Sequence, residues 1–231
     1  FLPKIYDQMM SHLNYKNWAD YIYKIYRYYK IKNKSVLELA CGTGKLSRFL
    51  AKKFDEYLIS DISLNMLKSC DNDLQKVCLD MRKIPFKNKF GFIFCTFDSI
   101  NYLLTSKELN EFFQEIFNIM DKESILTFDA AMEPTAVQYE GMNNTEKRFG
   151  DIFVKQISNY NKETKIITNH FIIKNDSETD EEIHRQKIFD IVDYFKIIEE
   201  CGLCVDKCYE CPSFEIAEYD SPRVQLIIKK V

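Results

Sequence analysis

The octapeptide Leu37-Glu38-Leu39-Ala40-Cys41-Gly42-Thr43-Gly44 restricts the fold of this chain more than any other segment. Ser35–Ala40 reads as a short buried strand and Cys41–Gly44 as a turn, and Leu46, Phe49 and Leu50 then share one face of a helix. Gly42 and Gly44 let the backbone turn sharply and approach a ligand closely, because no Cβ stands in the way.

The same rhythm continues downstream. Tyr57–Ser60 reads as a strand ending at Asp61, and a helix near 64–71 takes Ser63 as its N-cap. Lys76–Leu79 is a third strand, ending at Asp80. Phe90–Phe97 is nearly all apolar, as a strand buried on both faces should be. A helix over about 106–120 precedes the strand Ser124–Phe128, which ends at Asp129. Strands alternating with helices make a mostly parallel sheet with right-handed crossovers. Ahead of them, Trp18, Ile22, Ile25 and Tyr29 recur at helical spacing in an amphipathic helix over 15–30.

Residues 150–189 break the rhythm. Asp151–Tyr160, Lys165–Lys174 and Glu181–Asp190 are β-rich runs separated by the polar turns Asn161-Lys162-Glu163 and Asn175-Asp176-Ser177, so a small antiparallel sheet is expected. A helix over 191–201 stops at Gly202, and strands near 203–210 and 223–230 follow. The expected class is α/β: a seven-stranded, mostly parallel sheet with helices on both faces and a small antiparallel insertion. Residues 1–135 and 190–231 are assigned to the core with its N-terminal helical cover, and 136–189 to the insertion.

With a net charge of −3 and a pI near 5.8, the chain offers no basic stripe for nucleic acid. The locally basic stretch Lys24–Lys34 reads as a solvated helix face. No apolar run approaches the roughly 20 residues of a membrane span, and no signal peptide is expected. Of the eight cysteines, Cys41, Cys70, Cys78 and Cys95 lie far apart, as small hydrophobes do in a reduced, cytoplasmic protein. Cys201, Cys204, Cys208 and Cys211 invite a metal reading, but three residues between the two pairs leave little chain to wrap four thiolates around zinc. No metal is expected.

The candidate chemistry sits at strand ends. Ligands of open α/β sheets bind outside the carboxyl edge. An acid at the position of Asp61 accepts hydrogen bonds from ribose hydroxyls there. Asp80 and Met81 suit an adenine amino group and ring face. Phe97-Asp98-Ser99-Ile100-Asn101-Tyr102 lies where a second substrate would meet the cofactor. Asp61 and Asp80 also read as simple caps of the turns that follow, and Tyr102 as packing. Glu38 is harder to explain away, because an unpaired buried carboxylate is costly.

The array LELACGTGKLS, ISDIS, CLDMRKIPF and FIFCTFDSINYL resembles the motifs of class I S-adenosylmethionine-dependent methyltransferases, closely over about 35–130. The segments IYDQMM and YKNWADYI resemble a bacterial subgroup similar to glycine N-methyltransferase and the amino-sugar N-methyltransferases, which carry a comparable antiparallel insertion. The resemblance implies a Rossmann-like core and S-adenosylmethionine as cofactor. It implies that Gly42, Gly44 and the Ala40 backbone line the donor's methionine part, with Glu38 supporting the turn. Asp61 would bind the ribose and Ile62 the adenine, with Asp80 and Met81 on its far side. Met66 and Phe97 complete the donor-binding set, and Tyr6 and Trp18 close over the methionine end. Asp98, Ser99 and Tyr102 would face the transferred methyl, with Tyr102 or Asp98 assisting proton removal.

The implied acceptor is a small molecule, an amine nitrogen by analogy, and the chain a monomer or homodimer. The insertion would act as a lid over the acceptor pocket. His184 and Arg185 on its last run are candidate acceptor contacts or ordinary solvated side chains. Two other readings remain at this stage. A nicotinamide-dependent dehydrogenase would want a third small residue in a G-x-G-x-x-G fingerprint, where Ser47 stands. A donor-binding regulator without activity is the other.

Overall fold

The computed structural model describes residues 2–231. Helices α1 (Leu2–Met9) and α2 (Tyr15–Tyr28) precede the sheet. Then come β1 (Ser35–Leu39), α3 (Lys45–Leu50), β2 (Glu56–Asp61), α4 (Leu64–Ser69), β3 (Gln75–Cys78) and β4 (Phe90–Cys95). A 3-10 turn at Ser99–Tyr102 leads to α5 (Ser106–Ile119) and β5 (Met120–Ala131). A short α6 (Glu133–Ala136) opens the run β6 (Asn143–Phe149), β7 (Ile152–Asn161), β8 (Ile166–Lys174) and β9 (Thr179–Lys187). The chain ends with α7 (Ile191–Glu200), β10 (Leu203–Glu210) and β11 (Arg223–Lys230).

The main sheet has the order β10-β11-β5-β4-β1-β2-β3. β1 to β5 pair in parallel, and β11 runs antiparallel between β5 and β10. This is the seven-stranded, mostly parallel sheet expected from the alternation of elements. Chain order reverses between β1 and β4, and that switch point leaves a crevice at their carboxyl ends.

Strand periodicity of two sorts the side chains between the sheet's faces. Leu37, Ile93, Cys95, Leu126, Phe128 and Leu226 pack under α5 and α7, against Phe112, Phe113, Tyr194 and Ile198. Val36, Phe92, Phe94, Ile125 and Ile227 pack under α2 and α3, against Ile22, Ile25, Leu46 and Leu50. Three of the four cysteines of the late cluster follow the same division. Cys201 and Cys208 belong to the first core and Cys211 to the second. Among the described residues no group of three His, Cys, Asp or Glu side chains is placed to hold a metal. No described helix is long and apolar enough to cross a membrane.

The second sheet has four strands in the order β6-β7-β8-β9, all antiparallel. The sequence pattern predicts three and misses β6. Asn143-Asn144-Thr145-Glu146-Lys147-Arg148 shows no alternation and is exposed. It is a strand because its backbone pairs with β7, not because it buries a face. α1 is tied to this sheet by an apolar contact of Ile5 with Val154 and Ile173, which Met66 of α4 joins. The amino-terminal helix therefore bridges insertion and core.

Gly91 in β4 runs hard against the 31–33 segment. A Cβ there would lie 1.9 Å from the Asn33 carbonyl oxygen and 2.7 Å from Ile31 Cγ2. Overpacking a rigid site costs about 1–3 kcal/mol. Gly91→Ala is expected to lower the unfolding free energy by at least that much, read as a lower urea midpoint at unchanged m; a parent-like midpoint would show that the 31–33 segment yields freely.

Candidate active site

The glycine turn is held from both sides. Ala40 takes a left-handed φ of 53°, followed by Gly42 at 58° and Gly44 at 73°. A Cβ on Gly44 would strike Cys70 Sγ at 2.9 Å, whereas one on Gly42 would meet nothing nearer than the Tyr6 ring at 3.9 Å. The turn is therefore packed against α4 and open toward the cleft. Asp7 of α1 clamps it, accepting a hydrogen bond from Thr43 and pairing with Lys45 at 3.1 Å.

Glu38 supports the turn from within the core. The Ser47 hydroxyl donates to its Oε2 at 2.7 Å, and the Tyr57 phenol donates to the same oxygen. Among the described residues no cation pairs with it. Burial pushes this carboxyl up to about 7, against the pull of the Tyr57 and Ser47 hydrogen bonds.

Asp61 at the tip of β2 accepts the Gly42 N–H at 2.8 Å on one oxygen and the Ser63 N–H at 2.8 Å on the other. It thus braces both the glycine turn and the start of α4, where Ser63 caps Met66. Each oxygen keeps a further lone pair for a ligand hydroxyl. Ile62 beside it is 67% exposed, an apolar surface at the cleft mouth. Met66 does not stand free there, since it packs into the α1 cluster. Met81 packs partly into the core. Asp80 is engaged by Arg82, whose other arm reaches Glu108, and this ion pair holds its carboxyl below the ordinary range. An adenine amino group would share Asp80 with Arg82, a partner the sequence reading left out.

At the tip of β4, Phe97 and Asp98 both adopt a φ of 59°. Trp18 packs at a tilt against Phe97 with ring centroids 4.7 Å apart, and the Ser99 hydroxyl donates to the Thr96 carbonyl at 2.7 Å. Asp98, expected as a proton acceptor, is ion-paired in the structure. Arg223 of β11 grips both of its oxygens, one at 2.8 Å, and also contacts the buried Asp129, which accepts the Asp98 N–H at 3.1 Å. Burial pushes the Asp98 carboxyl up, Arg223 pulls it back, and Asp129 adds a further upward push. The guanidinium engages both oxygens, so an ion pair holds Asp98 at the strand tip. Sequence reasoning missed Arg223 because it is 125 residues from Asp98.

A cavity of about 430 Å³ opens between this tip, α1 and the inserted sheet. Tyr6, Trp18, Phe97, Asp98, Tyr102 and Arg223 line the core side, and Lys147, Gln156, Phe171, His184 and Gln186 the insertion side. Tyr102 and His184 meet across it, Oη to Nδ1, at 3.0 Å. Arg185 is not among the lining residues, as expected for the neighbour of His184 on a strand. Burial first, then Asp61, Asp7 and Asp98, push the Tyr6 phenol up.

A glycine turn, an acid at the next strand tip and an open crevice at the switch point define an α/β protein built for a nucleoside-bearing cofactor. Comparison narrows the class. Residues 36–123 match the family described as "Methyltransferase domain". The putative methyltransferase YqeM of Bacillus subtilis is 29% identical over 210 residues, covering 86% of this chain and 83% of that protein. An S-adenosylmethionine-dependent methyltransferase from Clostridium acetobutylicum shares the fold with a TM-score of 0.85, at 23% identity over 98% of this chain and 96% of that one. CalS10, an amino pentose methyltransferase from Micromonospora echinaspora, shares it with a TM-score of 0.76, at 13% identity over 97% and 94%. Residues 36–123 thus carry a methyltransferase domain, and the whole chain has the fold of the class I S-adenosylmethionine-dependent methyltransferases. The dehydrogenase and non-catalytic readings are set aside.

The buried Glu38 makes stability depend on pH. The unfolded chain loses this proton above about 4.5, while the folded chain holds it to about 7. Stability therefore falls as pH rises through that window and levels off above it, by up to roughly 3 kcal/mol for this group. Asp98 contributes in the same direction. Glu38→Gln should flatten the fall of the urea midpoint between pH 5 and 7.5 relative to the parent; identical slopes in the two proteins would show that Glu38 stays ionised in the fold.

Proposed function

We propose that this methyltransferase transfers its methyl group to the nitrogen of a small amine held between the carboxyl edge of the sheet and the antiparallel insertion. The carrying observation is the cavity at the β4 tip, walled on one side by the insertion and carrying the Tyr102–His184 pair. Its size admits a small molecule and part of the donor. The fold likeness to an amino pentose methyltransferase supports the same choice.

In this reading, the Ala40 backbone, Gly42 and Gly44 line the methionine part of the donor, and Tyr6 and Trp18 cover it. Asp61 takes the ribose hydroxyls, Ile62 lies on the adenine, and Asp80 and Met81 edge its far side. Phe97 and Ser99 shape the floor below the methyl group. Bound S-adenosylmethionine supplies an already activated sulfonium methyl. The residues of the chain then have three tasks. They hold the nucleophile in line, which is chiefly a matter of proximity. They keep water out, for which α1 and residues 136–189 act as a roof. They remove a proton from the incoming ammonium, since a protonated nitrogen has no lone pair to donate. The carboxylates near Tyr6 favour the sulfonium by charge.

Two measurements test this reading. A panel of small amines, amino sugars and carboxylates is expected to show donor-dependent methylation of amines only; turnover confined to carboxylates would overturn the nitrogen assignment. Asp61→Ala is expected to weaken donor binding about ten- to hundredfold, from a lost charge-assisted hydrogen bond of about 1.5–3 kcal/mol. If titration calorimetry finds parent affinity while the melting temperature drops, Asp61 only braces the turn.

A further inference from the structure

His184 stands on β9 of the inserted sheet and points into the cavity, as does Asn169, its partner across β8. Its two ring nitrogens have different neighbours. Nδ1 is 3.0 Å from Tyr102 Oη, and Nε2 is 3.3 Å from Oε2 of Glu182, two residues back on the same strand face. The Phe171 ring meets the imidazole edge-on at 5.3 Å and limits its rotation.

These contacts fix the direction of the hydrogen bonds. An ionised carboxylate only accepts, so Nε2 carries the hydrogen and donates to Glu182. The Nδ1 lone pair is then left to accept from the Tyr102 hydroxyl. The Tyr102 oxygen keeps a lone pair that faces the cavity. Tyr102 alone is a poor base. Burial, then Tyr6, Asp98, Asp61 and Glu182, push its phenol well above the ordinary value, so it does not rest as a phenolate. It passes a proton on only if something behind it takes one.

We propose that His184 is the proton acceptor of the methyl-transfer reaction, acting through Tyr102 with Glu182 balancing the charge. The inference rests on the amine reading above. The acceptor enters as an ammonium. One N–H proton moves to Tyr102 Oη as the Tyr102 O–H proton moves to His184 Nδ1, giving an imidazolium beside Glu182. The freed nitrogen lone pair then forms the N–CH3 bond while the C–S bond breaks and its electrons stay on sulfur. The imidazolium later returns its proton to solvent. The charged and titratable groups near the pair are Glu182, Tyr6, Asp98 and Asp61, and His12, Lys147 and Arg223 also line the cavity. Because the acceptor of the proton sits on β9, the insertion supplies part of the reaction machinery as well as the roof.

The test uses the full chain with an amine found in the panel. His184→Gln and Tyr102→Phe are each expected to lower kcat at pH 7 by roughly 10²-fold, with donor affinity unchanged. The double variant is expected to be no slower than Tyr102→Phe, since the two groups act in series. Glu182→Gln, a milder change, is expected to lower kcat less. The His184→Gln deficit should shrink as pH rises from 7 to 9.5, because the amine then arrives already neutral. That recovery separates proton transfer from mere support of the cavity wall. Parent kcat in His184→Gln at pH 7, or a deficit that stays constant across the pH range, overturns the inference while leaving amine methylation intact. Turnover of other acceptors but of no amine overturns the amine reading, and this inference with it.

Discussion

Arg223 holds together three strands that the chain reaches at widely separated times. Its guanidinium grips Asp98 at the tip of β4 and Asp129 in β5, while its own backbone pairs with Ala131. A buried carboxylate without a partner would be strongly unfavourable, and removing the cation would leave two of them uncompensated. Asp129 is fully buried, and among the described residues its Oδ1 has no hydrogen-bond partner. Two carboxylates thus share one guanidinium, and the residual negative charge lies beside the cleft. That is the sign that favours a sulfonium over a neutral sulfur.

The same region stores backbone strain. Ala40, Phe97 and Asp98 are all left-handed without being glycine, and all lie at the carboxyl ends of β1 and β4. Such conformations cost of order 1–3 kcal/mol each and persist only where surrounding structure imposes them. Here the clamps are visible: the Gly42–Asp61 hydrogen bond on one side, Arg223 and the Trp18–Phe97 contact on the other. The strain turns the strand tips aside and keeps the crevice open at the switch point.

The cavity draws on widely separated parts of the chain, among them α1, Trp18 of α2, the β4 tip, β11 and the inserted sheet. α1 is short and cannot hold a position by itself. It is fixed by Ile5 against Val154 and Ile173, and by Asp7 against the glycine turn. Donor turn, cover and insertion are consequently coupled, so a shift of the insertion is felt at Gly42. The Tyr102–His184 contact forms a second tie across the cavity.

What the sequence determined by itself was everything carried by local pattern. The period-two strands, the glycine turn, the acids at strand tips and the break in rhythm after Asp129 are written in neighbouring residues, because backbone geometry fixes their spacing. Those signals gave the strands and helices and the mostly parallel sheet they build. Only the tertiary structure decided which polar groups meet. Asp98 finds Arg223 and Tyr102 finds His184 across separations of 125 and 82 residues, which no local period records. Asp80 is captured by Arg82, a neighbour whose direction depends on Glu108 of α5. β6 became a strand because β7 offered it hydrogen bonds, a property of the partner and not of its own polar sequence. A side chain's charge and size are local facts; whether it is free, paired or poised to take a proton is set by what the fold places within about 3 Å of it.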